Sequence, residues 1–228
     1  MNAELRPRLL PAMKHCLAIL LMACTFSPAA AAVCPANAEP YANDTLCRCR
    51  SGYVENRGSC HPFDLGTAKV RALELKRIEG SDCKAMAQIL NEYSRASGFD
   101  SKQLASMAGK VLSNGIVLRQ FGAWYTLVPP ATEDYAVGFA DSGFRPRYAQ
   151  PGNNQVRHFV GYFVVGVFLT NGMLGGPAYT AILAELRDKG EQPDIDLGNL
   201  AAALGRQAAG SQHMLENVGA SIRSQVCN

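Results

Sequence analysis

No H-E-x-x-H pair, no G-x-S-x-G nucleophile elbow and no phosphate-cradling glycine loop occur in this 228-residue sequence. Each of those motifs sets reactive groups at a fixed spacing, so their absence leaves no ready-made metallopeptidase, serine-hydrolase or nucleotide site. Excess charge is missing too. Lys and Arg total 22 against 19 for Asp and Glu, a formal charge of +3. The first 32 residues hold one acid, Glu4, and three bases, Arg6, Arg8 and Lys14. Without them the remainder carries about +1 by the same side-chain counting. Phosphate backbones are held by a dense basic face, so nothing here calls for a nucleic-acid partner. No internal repeat is visible either, which removes solenoids and propellers.

What is present begins with an export pattern. Arg6, Arg8 and Lys14 form a basic start, residues 16–26 an apolar core, and Ser27, Pro28 and the alanines at 29–32 a small-residue end. That order matches a cleavable secretory signal, and Ala30-Ala31-Ala32 offers the A-x-A site. Mature protein is expected to begin at Val33. The core is shorter than the roughly 20 residues of a spanning helix. Two variants stay open: translation from Met13, and a lipoprotein signal at Leu21-Met22-Ala23-Cys24 that would anchor the chain through Cys24. Export implies a secreted, periplasmic or cell-envelope location.

Cleavage leaves six cysteines: Cys34, Cys47, Cys49, Cys60, Cys83 and Cys227. An even count in an exported chain reads as three disulfides. Four crowd into residues 34–60 and the other two flank the rest. The economical solution pairs the four among themselves and ties Cys83 to Cys227. No thiol would then remain as a nucleophile.

Residues 34–60 are too polar and too short to bury a core, so they need covalent staples. Their run Cys47-Arg48-Cys49-Arg50-Ser51-Gly52-Tyr53, closing at Cys60, resembles the C-terminal half of an EGF-like module. The resemblance implies Cys49–Cys60 as the terminal bridge and leaves Cys34 for Cys47. It covers only this segment. Four cysteines stand where a full module has six, and no calcium-binding acidic signature precedes Cys34. A stapled spacer without a ligand is the plainer alternative. Asn43-Asp44-Thr45 is an N-glycosylation sequon.

From Asp64 the apolar period becomes helical. Leu65, Ala68, Ala72 and Leu75 make one stripe of a helix over 65–79, ended by Gly80. Ser81 caps a second, with Met86, Ile89, Leu90 and Tyr93 inward. Asp100 and Gln103 open a third as a capping box, and Asn114-Gly115 stops it. Residues 116–128 suit a helix or a strand pair. Residues 129–154 form a long loop, expected to be ordered by its aromatics. Residues 159–184 carry no charge but are interrupted by Asn171-Gly172 and Gly175-Gly176-Pro177. They read as a buried hairpin of helices 155–171 and 177–189. Two closing helices follow, one capped by the Pro193-to-Asp196 turn and one by Ser211. On the first, Gly198, Ala202, Gly205 and Ala209 make a face that another helix can approach closely. The expected class is mainly α: a signal at 1–32, a small module at 33–63, and six or seven helices over 64–228.

Equal helical rise places His158 opposite residue 190 in that hairpin, near Glu185, Asp188 and Glu191, with Asp194 and Asp196 at the same end. His158 with Glu185 and Asp188 could serve acid–base chemistry or hold a divalent metal of unassigned identity. The same residues could equally be helix caps and ion pairs with Arg157, Arg187 or Lys189. Arg145, Arg147 and Arg157 could grip an acidic group, and Trp124, Tyr125 and Tyr135 could stack on a sugar, or all could be rim and core. His61 and His213 stand alone. Nothing in the chain asks for a cofactor. Three functions fit: an exported protein that binds a protein or glycan, a hydrolase using the His158 cluster, and a membrane-active protein that inserts residues 159–184.

Overall fold

The computed structural model describes residues 33–41, 46–56, 58–96, 100–120, 123–131, 136–150, 152, 154–172, 180, 182, 184 and 191–228. Among them are seven α-helices and three two-stranded antiparallel sheets, so the chain is mainly helical with small hairpins.

Strands β1 (Ala38–Tyr41) and β2 (Leu46–Cys49) pair first, then β3 (Tyr53–Asn56) and β4 (Ser59–Pro62). Cys34 bonds Cys47 and Cys49 bonds Cys60, each across a Cα separation near 5.5 Å. Among the described residues, Ala38 and Val54 are the apolar side chains buried here. So little apolar burial could not order the segment alone, and the bridges do that by restricting its unfolded state. A backbone bond fixes it to α2, Gly52 N–H donating to the Ala96 carbonyl at 2.8 Å, and Phe63 N–H closes the segment on the Gly52 carbonyl at 2.8 Å.

Helix α1 (Leu65–Ile78) starts where the Asp64 carboxylate accepts the Thr67 N–H, and buries Ala68, Ala72 and Leu75. Helix α2 (Asp82–Ala96) follows the Ser81 cap and supplies Met86, Ile89, Leu90 and Tyr93 to the core. Helix α3 (Ser101–Ser113) is capped by Asp100, whose carboxylate accepts the Lys102 and Gln103 N–H groups. Asn114 ends it in the left-handed region. The ambiguous apolar run after it is a strand pair, β5 (Ile116–Gln120) with β6 (Ala123–Val128). The long loop is anchored by buried Phe139, Phe144 and Tyr148, the last in a short 3-10 turn, Pro146–Tyr148.

Helices α4 (Gln155–Thr170) and α5 (Gln192–Gly210) form the tightest contact in the body. A Cβ on Gly205 would lie 2.2 Å from the Phe163 carbonyl oxygen, and one on Gly166 would lie 2.1 Å from that of Ala202. The small-residue face of α5 therefore meets α4 backbone to backbone. Phe159, Val160, Phe163, Val164 and Val167 of α4 are fully buried, so this half of the uncharged run fills the core. No helix among the described residues is long and apolar enough to cross a membrane. The expected return helix, 177–189, lies mostly outside the described residues.

Two local expectations need correction. The N-cap of α5 is Glu191, without a side-chain bond, and Pro193 lies in the first turn. Asp194 and Asp196 therefore sit inside the helix rather than capping it. The last helix is broken at Asn217 into α6 (Gln212–Glu216) and α7 (Val218–Gln225), where the Asn217 amide donates to the His213 carbonyl at 2.9 Å.

Cys83 bonds Cys227 across 144 positions. Around it, Asn228 N–H donates to the Gly143 carbonyl and Arg145 N–H to the Val226 carbonyl. The Asp82 carboxylate accepts the Ser142 hydroxyl at 2.7 Å. The loop, the start of α2 and the end of α7 are thus one clamp.

The α4–α5 contact predicts that Gly205→Ala forces two helix backbones apart and costs about 1–3 kcal/mol. Urea unfolding of the variant checks it, and an unchanged midpoint would show that the helices have room for a methyl group.

Candidate functional site

Arg71 lies on the apolar stripe of α1, between Ala68, Ala72 and Leu75, and its side chain is 8% exposed. A guanidinium there must find carboxylates, because a buried unpaired charge is prohibitive. It finds three. Nε and Nη2 donate to the two oxygens of Glu92 on α2 at 2.8 and 2.9 Å, a bidentate fork. Nη1 donates to Glu74, one turn along α1, at 2.7 Å, and Nη2 also reaches Glu55 on β3 at 3.3 Å. The Gln88 amide donates to Glu92 from below at 3.1 Å. Hydrogen bonding to Glu92 is the main cause that holds Arg71 protonated far above its ordinary range, against the opposing cost of burial. Beside it, Tyr93 is buried and donates its hydroxyl to the Ala68 carbonyl at 2.6 Å. Burial first, and Glu92 second, push its phenol well above the usual range.

A cleft of about 410 Å³ opens over this network, between the stapled hairpins and helices α1 and α2. Its wall on the hairpin side includes Tyr53, Val54, Glu55 and the bridged cysteines 47, 49 and 60; α2 contributes Gln88, Glu92 and Arg95. Arg48 also lines it and is paired with Glu39 at 2.9 Å. The volume suits a small ligand, and the mixture of apolar wall and few fixed polar groups is the usual composition of a binding site. Sequence reasoning did not single out Arg71, Glu55 or Glu92. The signal was an arginine three residues after Ala68 and four before Leu75, at a core position of an otherwise apolar stripe.

His158 lies on α4, half-buried, with its ring 5.0 Å from that of Tyr162. Its Nε2 is 2.9 Å from the Asp194 backbone carbonyl. A carbonyl only accepts, so Nε2 carries the proton and the imidazole ties α4 to α5. Glu185 and Asp188, its expected partners, lie outside the described residues. Arg157 and His158 do share a shallow groove of about 300 Å³ with Asn154, Tyr162 and Val117. Among the described residues no group of three His, Cys, Asp or Glu side chains could hold a metal.

The three arginines do not converge on a common ligand. Arg145 donates to the Cys227 carbonyl at 3.1 Å and the Ser224 carbonyl at 2.5 Å, satisfying the C-terminal end of α7. Arg147 pairs with Asp196 at 2.7 Å and lies over the Tyr148 ring. Arg157 is exposed on α4. The Trp124 and Tyr125 side chains and all of Tyr135 lie outside the described residues. His61 is exposed on β4, and His213 contacts Asn217 at a helix end.

Two predictions follow from these contacts. Arg71→Ala strands the Glu92 carboxylate beside a buried wall and should cost about 3–5 kcal/mol, whereas Glu55→Gln, altering a half-exposed outer contact, should cost about 1 kcal/mol or less. Denaturant titration of both variants separates them; equal losses would mean that Arg71 is not the centre of the network. Asp196 is held below the usual carboxylate range by hydrogen bonds from Arg147 and then Gln192. A depressed native pKa contributes stability above the unfolded value, about 3.9, that is lost as pH falls through the native one. Carboxyl NMR titration should show Asp196 rising towards its ordinary value in Arg147→Gln, and no movement would dissolve the assignment. No protein-family model, curated protein or solved structure matches this chain.

Proposed function

We propose that the chain is an exported binding protein. In this reading residues 1–32 direct secretion, residues 33–63 are an EGF-like module reduced to two bridges, and the module and helical body together form the walls of a ligand cleft. The cleft over Arg71 carries the reading. It joins a preorganised charge network to an apolar wall, and it lies where two separately stabilised parts of the chain meet. Three disulfides suit an oxidising compartment. The bridges at Cys34–Cys47 and Cys49–Cys60 accord with the EGF-like resemblance. His158 donates its Nε2 proton to a backbone carbonyl, a contact that ties α4 to α5 and leaves the Nδ1 lone pair as the basic site of the ring.

The test has two stages on protein recovered from the medium or periplasm. Intact mass should match a chain that starts at Val33 and holds three disulfides; an acylated chain starting at Cys24, or free thiols, would refute the export reading as stated. A thermal-shift screen of amino acids, peptides and oligosaccharides should then give a ligand that slows amide exchange in β2–β4 and the second half of α2. Hits that protect only other segments, or an absence of hits, would remove the cleft as the functional site.

A further inference from the structure

We propose a second ligand site, in a cavity lined by α3 and the start of α1, that takes a medium-chain aliphatic carboxylate. Lys110 receives the carboxylate, and Phe63, Leu65, Ala96 and Met107 cover the hydrocarbon. The site shares no lining residue with the cleft over Arg71 and stands independently of the function given to that cleft.

The apolar walls are an outcrop of the core. Phe63, Leu65, Ala96 and Met107 line a cavity of about 390 Å³. Phe63, Leu65 and Met107 pack on the core cluster and remain partly open, and the Phe63 ring stands 5.4 Å from that of buried Tyr93. Hydrocarbon-lined surface therefore reaches solvent here in a concavity rather than on a flat face. Small-molecule sites usually measure roughly 300–1,000 Å³, so the space suits a ligand of a dozen or fewer heavy atoms, about the size of octanoate. Met107 is unbranched and polarisable, so it can follow the outline of an alkyl chain.

The polar part of the lining sets the sign of the ligand. Gln103, Ser106, Met107 and Lys110 stand at i, i+3, i+4 and i+7 on α3, so they share one helix face. Among the described residues of the lining, Lys110 alone is charged. It is half-buried and has no ion-pair partner among the described residues. The acids that lie near the lining in sequence are engaged elsewhere. Asp64 accepts the Thr67 N–H, Asp100 those of Lys102 and Gln103, and Glu55 and Glu92 pair with Arg71. An ammonium group beside an apolar cavity with no carboxylate of its own complements an anion. The Gln103 amide and Ser106 hydroxyl, also without hydrogen bonds among the described residues, are further donors to a carboxylate. A compact polyanion would gain nothing from the apolar walls, and a neutral hydrocarbon would leave Lys110 unanswered. A single carboxylate on an alkyl chain uses both.

Calorimetric titration of the mature protein decides the matter with four probes: octanoate, butanoate, octan-1-ol and octylammonium. Octanoate should bind at a single site. Butanoate, four methylenes shorter, should bind at least about tenfold more weakly. Octanol and octylammonium keep the chain and lack the anion, and each should also lose at least about tenfold. Amide resonances of Gly52, Phe63, Leu65 and residues 103–110 should shift as octanoate is added. Lys110→Gln should bring octanoate down to about the affinity of octanol while leaving the far-ultraviolet circular dichroism and melting temperature unchanged. Ser106→Phe, which fills the cavity, should abolish binding. Equal affinities for octanoate and octylammonium, shifts confined to other segments, an undiminished preference for octanoate in Lys110→Gln, or no heat at millimolar octanoate would each overturn the proposal. Should Ser106→Phe fail to fold, Lys110→Gln and the chain-length comparison still decide it.

Discussion

Arg71 has to satisfy a buried guanidinium, and the way it does so sets the position of everything around it. Its fork with Glu92 fixes the rotation of α1 against α2, and its outer contact with Glu55 brings β3 down onto both. An apolar side chain at this position would pack well beside Ala68, Ala72 and Leu75. It would also leave the Glu92 charge unpaired and take away the Glu55 contact between β3 and α1. Buried ion pairs seldom add much net stability, because desolvation offsets most of the attraction. Here the contribution is one of direction: a planar fork accepts a narrow range of angles, and a hydrophobic contact does not.

The two parts joined by this network meet the cost of ordering a chain differently. The hairpins bury little and rely on cross-links that shrink the unfolded ensemble. The helical body relies on burial and on the direct backbone contact of α4 with α5, which lets Phe159, Phe163 and Val167 reach a core that bulkier interface residues would hold open. The loop between β6 and α4 buries Phe139, Phe144 and Tyr148 but has no cross-link of its own. It borrows rigidity from the clamp at Cys83–Cys227, where Ser142, Gly143 and Arg145 bond to the ends of α2 and α7. The cleft stands at the junction of the first two regimes, where one wall is stiffened by sulfur and the other by packed helices.

Much of the helical body was legible because its punctuation is chemical. Ser81, Asp100 and Ser211 have oxygens suited to free N–H groups, and Asn114-Gly115 suits a left-handed stop. The glycine and alanine face of α5 announced a close neighbour for the same reason, since it offers nothing to pack but backbone. The run from 116 to 128 stayed ambiguous because β-branched and aromatic residues without a clear period suit either state. The break at Asn217 depends on a side-chain bond to a carbonyl one turn back, a choice that a pattern of apolar positions does not encode. His158 shows a deeper limit. Its partner is a backbone carbonyl, a group that every residue carries, so composition could suggest carboxylates but not the acceptor used. Arg71 was readable in principle as a misplaced charge on an apolar stripe. Its significance needed Glu55, Glu74 and Glu92, which only the tertiary fold assembles.

The order of the bridges has a consequence for biogenesis. Among the described residues each cysteine is joined to the next one along the chain: 34 to 47, 49 to 60, 83 to 227. A polypeptide oxidised as it emerges N-terminus first would meet its correct partners in sequence. The two local links could close before Cys83 emerged, and that thiol would then wait, without a native competitor, for the final segment. Such a consecutive scheme places little demand on an isomerase.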